Sequence, residues 1–393
     1  MKILFQGKLN KNMLESSKIK TFFTNYNTNI FAFIILGFCF DFINKIQIFY
    51  DIGFIRLNRI LKAIFLVYSL AFIATHFKYV FKNFKFLFTV IIVLSVVFLL
   101  KKNFSEIYVN EYIRYIFILF TLPLLNYSYK VNNEVFIKRL KIFFKYFILL
   151  NAVFVLLGFL FEIKIFQTYQ YSTRFGFNGV LLSQGFTPFF YLCGTTIFWI
   201  SKDNKMLITV LILSLMSGLK GAYFAEFFLL TLLVLSNQEF NKRIKIKIVA
   251  FLSILFITFL LILFSTPLFE RIIESEGLMT AVFSYRTDNL LTLFNQITPE
   301  NYNIFIGALK LETVRLEMQV FDVILFFGIV GLLAYLTFLY FLYKRFVKNN
   351  VSKVFFVTIL MLSILMGNLL YIPLSSILMF LVLMALLENK NIK

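Results

Sequence analysis

The feature that most constrains this chain is the recurrence of apolar runs about as long as a bilayer is thick. A hydrocarbon core of about 30 Å takes about 20 apolar residues of helix to cross. Twelve runs approach that length, at 30–48, 60–76, 86–100, 112–126, 143–161, 179–200, 206–217, 222–236, 246–264, 319–343, 354–368 and 371–387. A soluble domain has nowhere to place so much apolar surface: 60% of the residues are hydrophobic and 15% charged, against roughly 25% charged in ordinary globular chains. The expected fold class is all-α, a polytopic integral membrane protein with about twelve transmembrane helices. Residues 1–393 read as a single membrane domain, with 265–318 as one large loop within it.

A net charge of +20 would point to nucleic acid if it sat on one soluble face. Here the cations are scattered between apolar runs, so the expected partner is the lipid bilayer and no nucleic acid. Their scatter is an orientation signal. With the N-terminus inside, 25 of the 39 Lys and Arg fall on the cytoplasmic side, as the positive-inside rule requires. Both termini are then cytoplasmic and 265–318 lies outside. The stretch before the first run is polar and basic, without the apolar core of a cleavable signal, so the first run would act as an uncleaved anchor. Asp41 and Lys45 interrupt that run at a spacing that would let them pair. In the loop, Leu290, Leu293, Phe294 and Ile297 recur at helical spacing, as in an amphipathic helix lying on the membrane. Phe supplies 56 residues and Trp 1, a skew that reads as lipid-facing filler. Cys39 and Cys193 lie inside apolar runs and say little about redox compartment.

No phosphate-cradling GxxxxGKS loop, GxSxG elbow or Cys/His cluster is present, and no metal or cofactor is expected. The single histidine, His76, falls at a cytoplasmic helix end, which leaves the outer face without a histidine base. Outward cations remain. Arg174 precedes the sixth run, Lys220 sits in the turn Ser217-Gly-Leu-Lys-Gly221, Arg286 lies in the large loop, and Arg315 stands just before the tenth run. Arg grips phosphate oxygens with a planar fork and Lys acts as a point charge, so cations from several segments can converge on a diphosphate. The plainer alternative makes them juxtamembrane charges drawn to lipid headgroups, with Arg315 paired to Glu312. A base on the outer face has to be a carboxylate. Glu317 is the first candidate, with Asp322 beside it. Glu226, inside the eighth run, would need a cation or polar group as neighbour.

These features together resemble the O-antigen polymerase (Wzy-type) and O-antigen ligase superfamily of bacterial membrane glycosyltransferases. The likeness rests on the twelve-run plan and its loop, Arg174 with Gly176, Asn178 and Gly185, the small-residue turn at Lys220, and Phe305-Ile-Gly307 followed by Glu317, Asp322, Gly328 and Gly331. The resemblance implies a GT-C-like layout in the bacterial inner membrane and a substrate carried on undecaprenyl diphosphate. It implies no cofactor, and a chain-length regulator as a partner. Ligases carry His where Glu317 stands, which favours a polymerase over a ligase. A lipid-linked oligosaccharide flippase is the alternative from another class, although such transporters are built from internal repeats that are not evident here.

Overall fold

The computed structural model describes residues 25–52, 57–170, 174–182, 184–312, 314–367 and 370–388. The basic N-terminal stretch and the last residues lie outside them, and with them the expected placement of the two termini. Among the described residues the protein is all-helical apart from one two-residue hairpin. Each of the twelve apolar runs overlaps a helix. They are α1 (Tyr26–Phe49), α2 (Leu57–Thr75), α3 (Phe77–Leu100), α4 (Glu106–Val131), α5 (Asn133–Phe161), α6 (Thr187–Ser201), α7 (Asn204–Met216), α8 (Lys220–Ser236) and α9 (Lys242–Phe264). Three short helices follow, α10 (Pro267–Glu276), α11 (Leu278–Phe283) and α12 (Arg286–Gln296). The hairpin pairs β1 (Tyr302–Asn303) with β2 (Gly307–Ala308), and α13 (Gln319–Phe346), α14 (Asn350–Met366) and α15 (Pro373–Leu386) complete the chain.

Six helices, α1, α2, α3, α5, α9 and α13, are long and apolar enough to cross a membrane. Their outer faces expose Ile64, Ile92, Leu160, Ile254 and Leu333, the pattern of a helical membrane protein. Five others have only 13 to 17 residues, which at about 1.5 Å per residue gives roughly 20–26 Å. Helix α15 is apolar on every side and wholly buried, as such a helix must be. It packs on α4 and α6, while α3 lies on α13 and α14 on α8. Helix α9 has one buried residue, Leu263, and rests on α8. Side-chain oxygens of Asn132, Asp203, Asn241 and Asn349 accept backbone N–H groups at the starts of α5, α7, α9 and α14, filling donors that a helix start leaves open.

Several expectations need correction. The sixth run is helical only from Thr187; 179–182 and 184–186 are loop. Lysines 78, 82 and 85 lie on α3, which begins at Phe77 and kinks at Phe84. Lys220 is the first residue of α8, not part of the turn. Asp41 and Lys45 do not pair: Asp41 accepts from Asn58 at 3.0 Å. Lys45 is buried and donates to Asn178 Oδ1 (2.8 Å), Gly179 O (2.7 Å) and Leu181 O. A lysine inside the bundle needs such acceptors.

Candidate functional site

A loop buried among membrane helices must satisfy its own polar backbone. Residues 174–182 do so through neighbours on every side. Phe177 N donates to Met216 O (2.7 Å), Asn178 N and Gly179 N to Phe166 O, and Val180 N to Asn151 Oδ1 (2.9 Å). Lys45 grips the same stretch from α1. Two glycines then let the loop touch the break between α7 and α8. Gly218 has φ +66, and a Cβ there would meet Phe175 O at 2.1 Å; one on Gly176 would meet Ser217 O at 2.5 Å. Thr168 Oγ1 donates to Ser217 O at 2.7 Å. The loop carrying Arg174 and the turn before Lys220 are therefore one stitched wall.

A second wall is built the same way. Helix α13 breaks at Gly328, where φ is +65. Gly307 backs onto it so closely that a Cβ on Gly328 would meet Phe305 C at 2.4 Å. Ile329 N donates to Ile304 O (2.9 Å), carrying the ladder across the break. Lys101 Nζ donates to the carbonyl of Phe326 and lies 3.9 Å over its ring. At the start of α13, the Asp322 carboxylate is fully buried and accepts from Leu316 N and Met318 N (3.1 Å). Asp322 thus holds the strand of chain that presents Arg315 and Glu317, and its role is positional.

Between these walls lies a cavity of about 650 Å³ lined by Arg174, Lys220, Arg286, Arg315 and Glu317. The structure brings together the four outward cations and Glu317. Arg174 donates to Gly218 O (3.3 Å), with its guanidinium 4.1 Å from the Tyr169 ring and 4.7 Å from the Phe269 ring. Burial pushes Arg174 below its usual pKa, with Tyr169 and Tyr223 opposing. Lys220 donates to Ala281 O, Val282 O (3.1 Å) and Ser284 Oγ (2.9 Å), with the Phe269 ring 4.8 Å away. Arg286 Nη2 donates to Glu317 Oε2 at 3.1 Å. Arg315 faces Glu111, at 4.0 Å, rather than Glu312, and Glu111 also binds Arg114 at 2.8 Å.

Backbone adds to this charge. The first turns of α8 and α12 line the same space. Helix N-termini carry open N–H donors and partial positive charge, which suits anions. Four cations face one carboxylate, Glu317, among the described lining residues. Sequence reasoning overlooked Tyr169, Gln184, Asn289 and the ring of Phe269. Of these only Phe269 carried a signal, on the apolar face of the amphipathic helix α10. Glu226 stands apart from the cavity, accepting from Thr195 Oγ1 at 2.9 Å. No protein-family model, curated protein or solved structure matches this chain.

Proposed function

We propose that this chain is a membrane glycosyltransferase of the O-antigen polymerase type, joining undecaprenyl-diphosphate-linked oligosaccharide repeat units at the periplasmic face of a bacterial inner membrane. The observation that carries this reading is the convergence of four cations and two helix N-termini, those of α8 and α12, on one cavity. A ligand with several anionic oxygens is what such a site recognises, and a lipid diphosphate presents them at membrane depth. On this reading all twelve apolar helices lie in the bilayer, the short ones surrounding the cavity. Residues 265–318 roof it from the periplasm, and the orientation of the flanking lysines follows the positive-inside rule.

The reaction needs no cofactor. A hydroxyl of the acceptor sugar attacks the anomeric carbon of the donor glycan; a new C–O bond forms as the bond to the diphosphate oxygen breaks. The electron pair leaves on the diphosphate, where Arg174, Lys220, Arg286 and Arg315 stabilise the growing charge. The hydroxyl proton passes to a carboxylate, for which Glu317 is the candidate. A carboxylate base suits a leaving group that departs readily.

The test is a purified full-length preparation given lipid-linked repeat units, with products resolved on a gel. Arg174→Ala and Arg286→Ala should each lower polymer formation by about a hundredfold or more while the protein stays monodisperse. Wild-type ladders from both variants would refute the site. Alkaline phosphatase fused at Thr298 should be active, and a cytoplasmic report there would remove the topology on which the reading depends.

A further inference from the structure

A second pocket lies away from the cavity, among α7, α8 and α9, with a volume of about 160 Å³. Leu215, Leu230 and Leu252 line it with Phe227 and Phe256, whose rings stack at 4.4 Å. Three polar side chains interrupt this apolar lining: Tyr223, whose hydroxyl donates to Leu215 O at 2.8 Å, Glu226 at 7% and Ser214 at 1% exposure. Thr195 occupies Glu226 Oε1, but Glu226 Oε2 and Ser214 Oγ are shielded and have no protein hydrogen-bond partner. On α8, Glu226 lies six residues beyond Lys220, about 9 Å further along the helix.

We propose that this pocket binds a membrane-soluble long-chain alcohol, its hydroxyl meeting Glu226 and Ser214 and its chain lying along Phe227 and Phe256. The chemistry selects that class. A buried acceptor left unfilled is costly, and a plain acyl chain offers no donor. An ammonium group would satisfy Glu226 but has no lone pair for the Ser214 hydroxyl. A hydroxyl donates to the carboxyl oxygen and accepts from the serine. Helix α9, which buries little besides Leu263, walls the pocket on one side, and none of the residues lining the pocket lines the cationic cavity. The site is independent of the proposed transfer reaction.

The experiment uses the full chain in phosphatidylcholine nanodiscs with a diazirine-bearing dodecanol and its methyl ether. The alcohol should crosslink saturably to 211–230 and 251–259, and unlabelled dodecanol should compete. The ether, which cannot donate, should label about tenfold less. Glu226→Leu should lower alcohol labelling by about the same factor and leave the ether unchanged; Ser214→Ala is the second variant if the first does not stay monodisperse. Equal labelling by alcohol and ether would overturn the proposal, leaving a gap that takes hydrocarbon only. Labelling that does not saturate, or that survives both substitutions, would also overturn it, the two polar groups then being met by water.

Discussion

The segment 265–318 is held to the bundle in two different ways. Its second half, from β1 to Met318, is fixed by backbone. Gly307 lies against Gly328, Tyr302 OH donates to Ile324 O (3.2 Å), Asn103 to Leu309 O (2.8 Å), and Tyr108 OH to Leu311 O (3.2 Å). The first half, α10 to α12, buries little beyond Phe269, Thr280, Ala281 and Leu293. Its polar hold on the bundle runs through the cavity cations: Phe269 lies against Arg174 and Lys220, and two carbonyls and a hydroxyl of 281–284 receive Lys220. One half presents Arg315 and Glu317 from a rigid frame. The other is attached to the groups an anionic ligand would engage, so its anchorage and ligand binding draw on the same donors.

Two glycines offer the hardest test of this contrast. Gly328 and Gly277 both have positive φ, +65 and +91, but a Cβ on Gly328 would strike the Phe305 backbone, whereas nothing lies within 4 Å of one on Gly277. Gly328→Ala should therefore cost about 3 kcal/mol or more and strip most folded protein from a detergent extract. Gly277→Ala carries the conformational strain alone, about 1 kcal/mol. Thermal midpoints of the two purified variants decide it, and equal losses would mean that the halves are held alike. A more local effect is expected from Lys220→Met, which removes the three bonds that Lys220 Nζ donates to 281–284. Hydrogen exchange should rise by at least about tenfold across α11 and stay unchanged at 302–318. A rise in both places would join them into one unit.

The apolar runs were legible because lipid demands length and continuity, and each of them overlaps a helix. Partners distant in sequence were not. Lys45 has Asp41 one turn away, yet its acceptors are in the loop 178–181, and Arg315 passes over Glu312 for Glu111. Local spacing measures what is near along the chain, while a buried charge goes to whatever acceptors the fold encloses with it. Apolarity likewise fails to separate a buried loop from a helix. Residues 179–186 read as span, but Gly179 has φ +60 and Val180 N is taken by Asn151. The glycines 176, 218, 307 and 328 were visible singly; that they meet in two pairs is a fact of the tertiary structure. The four cations were visible singly too, and their meeting in one cavity is likewise a fact of the tertiary structure.

Glu317 gives the finest test, because its backbone and its side chain pull apart. It adopts φ +60, a conformation that costs a residue with a Cβ about 1 kcal/mol relative to glycine, in the stretch that Asp322 clamps. Its carboxylate contributes little to folding, being 65% exposed and tied to Arg286 alone. Glu317→Gly should then leave the thermal midpoint unchanged or raise it slightly, by no more than about 1 kcal/mol of stability, since strain relief offsets the greater freedom of the unfolded chain. Polymer formation should fall in the same variant, because the candidate base is gone. Glu317→Gln separates the two effects by keeping the strain and removing the charge. If Glu317→Gly were destabilised as much as Gly328→Ala, the carboxylate would be a structural strut of the rigid half, and its assignment as the base would fail with it.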